Sequence, residues 1–473
     1  MAWVIFLVGS PLLLAYAWGY RVSLSHPRAS LVPAGPTVGA MVIRSIPRGA
    51  RVLLDGRVVD ERTPAGISRI PVGVHLVRIE KQGYRPYEKR LEVFGGQVAD
   101  LLHVRLIPQT IEEEIVRTGV SGVWISPDER WVILREEPLL TILPRRVLTT
   151  LSPERTVREA DGLQVRLPRH RTGEIAFFWA PSGESVAVGL HRAEETEQMT
   201  FFPDSLALID LADGRLRPMP PRTKLVGWSP VGPERVLLLT AEGDLLGLPA
   251  QATTPEKLAS GILAAAIHPR GILVQRATQG ASEPPFGFVR DGGEFQPFTP
   301  PFPEPAGALQ VSPEGTLAGV SKDGTLFLFT AEDQAWRAVA QGVRRFAWSP
   351  DGQKLLIQES AFDVSVLNVS EDRSVLKRLQ PEFLLRMSLP LRNLQWFPDS
   401  QHLLYFDQDI LRLLDIDPRG GHRTEDLISV DRGGALAVVF EGGALVTVTA
   451  RRSVSDRSAD VLLRLFLRTP DDR

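Results

Sequence analysis

The chain contains no cysteine, which excludes disulfides, thiolate metal ligands and cysteine nucleophiles together. It also lacks an excess of either charge. Lys and Arg number 54 against 56 Asp and Glu, a formal net charge of −2, so no global basic field is available to hold nucleic acid. Histidine is sparse: the eight, at 26, 75, 103, 170, 191, 268, 402 and 422, have no ligand-like spacing, which argues against a histidine-built zinc site. The sequence has no His-Glu-x-x-His pair, no Gly-x-Ser-x-Gly elbow and no Walker-type phosphate loop. What is plentiful is glycine and proline, 40 and 38 of 473 residues. With 43% hydrophobic and 23% charged residues, the composition is globular and turn-rich, suited to many short strands in two or three domains.

One long apolar run exists. Residues 2–20 carry no charge and just reach the length of a membrane-crossing helix. Trp3, Trp18 and Tyr20 sit at its ends, where amphipathic rings favour the bilayer interface. Residues 1–21 are therefore expected to form a transmembrane signal-anchor. A cleaved signal peptide is the rival, because Ala15-Tyr16-Ala17 has the small-x-small form of a processing site. No Lys or Arg precedes the run, and Arg21 and Arg28 follow it; charge alone would leave the remainder on the cytoplasmic side. Residues 22–38, rich in Pro, Ser, Gly and Ala, read as a linker.

Residues 39–107 carry short β-type runs broken by turns, among them Asp55-Gly56 between apolar stretches, a strong hairpin signal. Ser45-Ile46-Pro47-Arg48-Gly49-Ala50 is followed by Val52, Asp55-Gly56, Thr63-Pro64, Gly73-x-His75 and Lys81-x-Gly83-Tyr84. This pattern resembles the PEGA domain family, with Arg48 at the Glu of its name. The resemblance implies a small β-sandwich-like module of an extracytoplasmic or surface-associated protein. It brings no catalytic residues with it.

The rest of the chain, residues 108–473, is repetitive. Val123-Trp124-Ile125-Ser126-Pro127-Asp128 recurs as Phe178-Trp179-Ala180-Pro181, Gly227-Trp228-Ser229-Pro230, Ala266-Ile267-His268-Pro269-Arg270-Gly271, Gln310-Val311-Ser312-Pro313-Glu314-Gly315, Ala347-Trp348-Ser349-Pro350-Asp351-Gly352 and Gln395-Trp396-Phe397-Pro398. A degenerate eighth copy is Val439-Phe440-Glu441-Gly442-Gly443. Each copy stands before an apolar run, and the period suits four strands per β-propeller blade. The copies resemble the WD40-like PD40 repeats of TolB-type propellers, whose Trp-Ser-Pro-Asp-Gly hallmark is complete at residues 348–352. Eight anchors imply about eight blades, with seven as the alternative. Residues 111–116 are expected to complete the last blade beside residues 461–467. The resemblance favours an extracytoplasmic location over the charge cue.

Ser321-Lys322-Asp323-Gly324-Thr325 is one residue short of a sialidase box and reads as a hairpin. Asp407, Asp409, Asp415 and Asp417 are concentrated enough for glycoside chemistry or Ca²⁺, but read better as turns flanking a strand. Two stretches are candidate partner sites. The first is an arginine-rich insertion with Arg145, Arg146, Arg166, Arg169 and Arg171, residues suited to phosphate or carboxylate partners. The second is a proline-rich aromatic stretch with Phe286, Phe298 and Phe302, which marks a partner surface if exposed and a hairpin core if not.

The expected protein is mainly β: transmembrane helix, small β-sandwich, propeller. Its expected role is a membrane-anchored, extracytoplasmic, non-enzymatic scaffold that binds a protein, a peptide or an envelope glycan, with no cofactor, no metal and no nucleic acid. The alternatives are a hydrolase or lyase of envelope polysaccharide and a structural spacer in a surface assembly.

Overall fold

The computed structural model describes residues 20–23, 30–33, 37–144, 162–167, 173–192, 203–277, 285–290, 293–330, 332, 334–370, 375–389, 391–439, 445–454, 457–469 and 472. Every element among them is a β-strand. They divide into two compact units: residues 1–110 with Arg419–Gly421 and Arg468–Arg473, and residues 111–418 with His422–Leu467.

The first unit is a sandwich of two sheets. Val38–Ile46 is central to one, antiparallel to Ala65–Pro71 and parallel to Val98–Arg105. The other runs in the order Arg57–Arg62, Arg51–Leu54, Gly73–Glu80, Tyr87–Val93. Tyr87–Val93 shows why these residues form strands: Tyr87, Lys89, Leu91 and Val93 point inward while Glu88, Arg90 and Glu92 face water, a strict period of two. Met41, Ile43, Val52, Val77, Ile79 and Leu91 fill the space between the sheets. The motif residues hold turns. Thr63 Oγ1 accepts the Ala50 N–H at 3.0 Å and is 2.6 Å from Ser45 Oγ, fixing the Pro47–Ala50 turn. The chain's late return at Thr469 also belongs to this unit, its N–H donating to the Tyr84 hydroxyl at 3.0 Å.

In the second unit six four-stranded antiparallel sheets follow the repeats, and an eight-stranded sheet is two more four-stranded units joined at the single pair Asp204–Lys224. Among the described residues these make eight blades. In chain order they span residues 122–166, 173–218, 223–259, 262–297, 306–340, 345–386, 392–429 and 432–466. Central strands such as Leu317–Ser321 are buried at every position, because each blade is covered on both faces. Ile133 and Ile142 of the first blade pack on Val186 and Val188 of the second, and Ala187 and Leu208 of the second on Trp228 and Val236 of the third. The seventh blade reaches the eighth through Gln395 Nε2, which donates to the Leu436 carbonyl at 3.1 Å. The ring closes where Val123 and Val132 of the first blade meet Ala437 and Leu462 of the last. Glu112–Thr118 supplies the outermost strand of that last blade, antiparallel to Arg457–Phe466. A ring of four-stranded blades closed in this way is a β-propeller.

The transmembrane helix expected over residues 1–21 does not belong to this fold. No helix among the described residues is long and apolar enough to cross a membrane. The described end of that segment, Tyr20–Ser23, is instead a strand antiparallel to Ser30–Pro33, with Tyr20 opposite Pro33. Backbone groups paired across strands are not available for the i to i−4 bonds of a helix. Residues 2–19 lie outside the described residues.

Candidate functional site

The repeated turn is the building block of one rim of the propeller. In the most regular copy, Ser349 Oγ donates to Asp351 Oδ1 at 2.5 Å and accepts the Lys354 N–H at 2.9 Å. Asp351 Oδ1 also accepts the Gln353 N–H at 3.0 Å. Burial works against the Asp351 carboxylate, but Ser349, the Gln353 N–H and Lys354 outweigh it and hold its pKa below the ordinary value. Ser126 and Asp128 repeat the arrangement. In the copies whose turn is described, the residue closing it has positive φ, whether glycine, as at Gly352 (68°), or not, as at Glu129 and Ser400 (both 57°). A glycine carries no steric cost there.

Several of these turns are bonded to their neighbours. Arg130 Nη2 of the first blade donates to the Ser182 carbonyl of the second at 2.5 Å. Ser182 N–H and Oγ donate to the Glu234 carboxylate of the third at 3.0 and 3.1 Å. His268 of the fourth reaches toward Gly315 of the fifth, where a Cβ would stand 3.8 Å from its Nε2, and the Asp351 N–H of the sixth donates to Ser400 Oγ of the seventh at 3.1 Å. Between the third and fourth blades, no hydrogen bond joins the two turns among the described residues. A cleft of about 410 Å³ opens there, lined by Ser229, Val231 and Arg235 from the third blade and by Arg270, Gly271, Arg290 and Glu294 from the fourth. A neighbouring cleft of about 390 Å³ shares Arg270 and Arg290 and is otherwise lined by Phe288, Gln296, Pro297, Phe298 and Thr299.

The sequence of the fourth blade explains the cleft. Its turn reads His268-Pro269-Arg270-Gly271, so an arginine occupies the position held by Asp351 in the sixth. The serine is replaced by His268, whose Nδ1 accepts the Arg270 N–H at 3.0 Å. Burial, then the Arg270 charge, push the His268 pKa down, so the ring is neutral and packs on Phe288 with centroids 5.0 Å apart. The Arg270 side chain, freed from turn-holding, lies exposed at the cleft, as does Arg290 at the following hairpin. Gly271 has a φ of 143°, and a Cβ there would stand 3.0 Å from the Val289 carbonyl. Arg235 is already engaged with Glu256 at 3.5 Å. The arrangement can bind anions on two exposed guanidiniums beside an apolar wall. Among the described residues the lining holds one carboxylate, Glu294, where glycoside chemistry uses a pair.

The residues singled out from sequence fall elsewhere. Arg145, Arg146, Arg169 and Arg171 lie outside the described residues. Arg166 ends the outermost strand of the first blade and is exposed. Phe286 and Phe302 are buried, and with Phe298, Phe327, Phe329 and Trp336 they form an edge-to-face cluster between the fourth and fifth blades, the Phe286 and Phe298 centroids 5.8 Å apart. Of the two alternatives, these two rings take the buried one, not the partner surface: an aromatic side chain buries enough area to be drawn into an inter-blade core. Phe298, half-buried, also lines the smaller cleft. Asp407 pairs with Arg412, which also holds Asp426 at 2.7 Å, and Asp323 closes a hairpin by accepting the Thr325 N–H at 3.2 Å. Arg270 and Arg290 escaped the sequence reading. The signal that marks Arg270 is its place in a repeat, where the turn's carboxylate has become a cation.

The PEGA domain family matches residues 38–105. No match is found among curated proteins. Among solved structures, the chain is similar to the β-propeller domain of Cps50 (Swd1) from Myceliophteria thermophila, with 11% identity and a TM-score of 0.41 over 74% of this chain and 99% of that one. It is similar to the C-terminal WD40 domain of Sif2, with 13% identity and a TM-score of 0.39 over 74% and 97%. A eukaryotic initiation factor gives 11% identity and a TM-score of 0.39 over 72% and 93%.

Proposed function

We propose that this protein is a non-enzymatic binding scaffold whose propeller offers a rigid rim to a protein partner. One observation carries the reading: hydrogen bonds tie the turns of the first three blades to one another and the sixth to the seventh, whereas a cleft of about 410 Å³ with two exposed arginines opens between the third and fourth. A surface fixed on both sides of an open cleft loses little conformational entropy when a partner docks. The exposed groups at the cleft are guanidiniums, suited to recognition. An extracytoplasmic address goes with this reading, supported by the likeness of the repeats to TolB-type propellers and of the small domain to PEGA modules; protease shaving of intact cells tests it.

The binding role is tested by placing a photo-cross-linking amino acid at Val231, exposed on the cleft, in the full chain expressed in its native host. A discrete protein adduct is expected there and not at Val74, exposed on the small domain. Equal labelling from both positions, or none, would sink the proposal.

A further inference from the structure

Resting on that reading, we propose that the paired clefts of the fourth blade bind an acidic peptide segment, its carboxylates on Arg270 and Arg290 and its apolar side chains against Phe298 and Pro297. The two clefts are neighbours that share Arg270 and Arg290 in their linings. Among the described residues no carboxylate forms an ion pair with Arg270 or Arg290, whereas Arg235 beside them is taken by Glu256. Among the described residues the lining therefore carries two guanidiniums outside any ion pair against the one carboxylate of Glu294. A planar guanidinium matches a carboxylate in a two-point contact.

The apolar component separates a peptide from a simple anion. Phe298 is held by its edge-to-face contacts with Phe288 at 5.8 Å and Phe329 at 4.9 Å, so one side of its ring is fixed while the other borders the cleft. Pro297 adds a second stiff wall. Volumes of about 390 and 410 Å³ each accommodate one or two side chains, so a peptide segment reaching both clefts would pass the two shared arginines. The hydrogen-bonded His268 braces the turn bearing Arg270 from below. The turn needs Gly271, because any larger residue would be strained and would press on the Val289 carbonyl. The site is thus a cationic, amphipathic groove on a stiff support.

The test is fluorescence anisotropy on the full chain. The probes are a labelled decapeptide repeating Glu-Leu-Glu-Ser-Leu and its counterpart with Gln for Glu. The acidic peptide is expected to bind, to weaken as salt rises, and to lose at least about tenfold in affinity in Arg270→Glu/Arg290→Glu and severalfold in Arg270→Gln/Arg290→Gln. Both pairs lie on the surface, and an unchanged melting curve confirms that the variants fold. Equal binding of the Gln peptide, variants that bind like the parent, or no peptide binding would each overturn this site. The cross-linking adduct at Val231 separates the two readings. If it persists in Arg270→Glu/Arg290→Glu, the scaffold stands and the acidic-peptide site falls; if the parent gives none, the scaffold itself falls.

Discussion

The indole nitrogen of Trp228 donates to the main-chain oxygen of Phe178, fifty residues earlier and one blade back, at 2.7 Å. Trp396 repeats the relationship on Ala347 at 3.2 Å. In both cases the acceptor is the residue just before the preceding repeat's own tryptophan. At Trp228 and Trp396 the repeat's aromatic anchor therefore joins blades by a directed bond as well as by packing, while the Trp348 indole nitrogen is buried without a partner among the described residues. Trp228→Phe keeps most of the ring but removes this part-buried hydrogen bond, and is expected to cost about 1 kcal/mol. Urea unfolding of the full chain checks this; a change under about 0.5 kcal/mol would reduce the indole to a space-filler.

The turn's last position gives a prediction of opposite signs. Gly352 has a φ of 68°, and a Cβ there would meet Pro313 Cδ of the neighbouring turn at 3.2 Å. Gly352→Ala is expected to lose about 1–2 kcal/mol. Glu129 holds the equivalent position with a side chain, so Glu129→Gly is expected to gain about 0.5 kcal/mol or more. Melting temperatures that shift the same way in both variants would contradict a shared left-handed requirement.

How far these positions were legible from sequence varies in an instructive way. Trp348-Ser349-Pro350-Asp351-Gly352 is visible because turn chemistry is local: hydroxyl, carboxylate and glycine each answer a backbone need within five residues. The blade number is visible for the same reason, repeated. The aromatic stretch was ambiguous, since Phe286 and Phe302 face a neighbouring blade that no local pattern reveals. The apolar N-terminal run satisfied length and composition, yet pairing of Tyr20–Ser23 with Ser30–Pro33 depends on groups that a hydropathy window does not count. The cleft was hidden because it is a gap between two copies, not a property of either. Arg270 becomes visible only when the copies are compared position by position.

Two histidines should respond to pH in opposite directions. Asp55 hydrogen-bonds His75 Nδ1 at 2.7 Å, and Nε2 faces the Pro71 carbonyl at 2.8 Å. Both contacts favour imidazolium, and the pKa is raised above 6.5 by the Asp55 bond first, against burial. Its stabilising contribution is complete below pH 6.5 and is lost as pH climbs through the raised value. His268 is the reverse: burial lowers its pKa, so stability is complete above pH 6.5 and falls as acidification forces a proton onto the ring. Hydrogen exchange read separately over residues 38–105 and 262–311 at pH 5.5 and 8 should show protection moving in opposite senses. Asp55→Asn and His268→Gln should each flatten one of the two trends, and a parallel trend in both regions would refute the assignment.

The strand that closes the ring offers the sharpest test of how it is held. Glu114 lies opposite Arg464 across the Glu112–Thr118 and Arg457–Phe466 pairing, with Arg464 Nη1 donating to Oε2 at 2.8 Å. The two ends of the bond are not equivalent. The Arg464 side chain is 6% exposed and Glu114 20%, and Arg464 Nε and Nη2 are buried without hydrogen-bond partners. Removing the carboxylate strands a buried cation, whereas removing the cation frees a carboxylate that reaches water and eliminates two unsatisfied nitrogens. Glu114→Gln is therefore expected to cost about 3 kcal/mol and Arg464→Met less than about 1 kcal/mol, with the double variant close to Arg464→Met. Equal losses from the two single variants would mean that the pair contributes through attraction alone. The predicted inequality would instead locate ring closure in the backbone ladder and in the packing of Leu462 against Val123 and Val132.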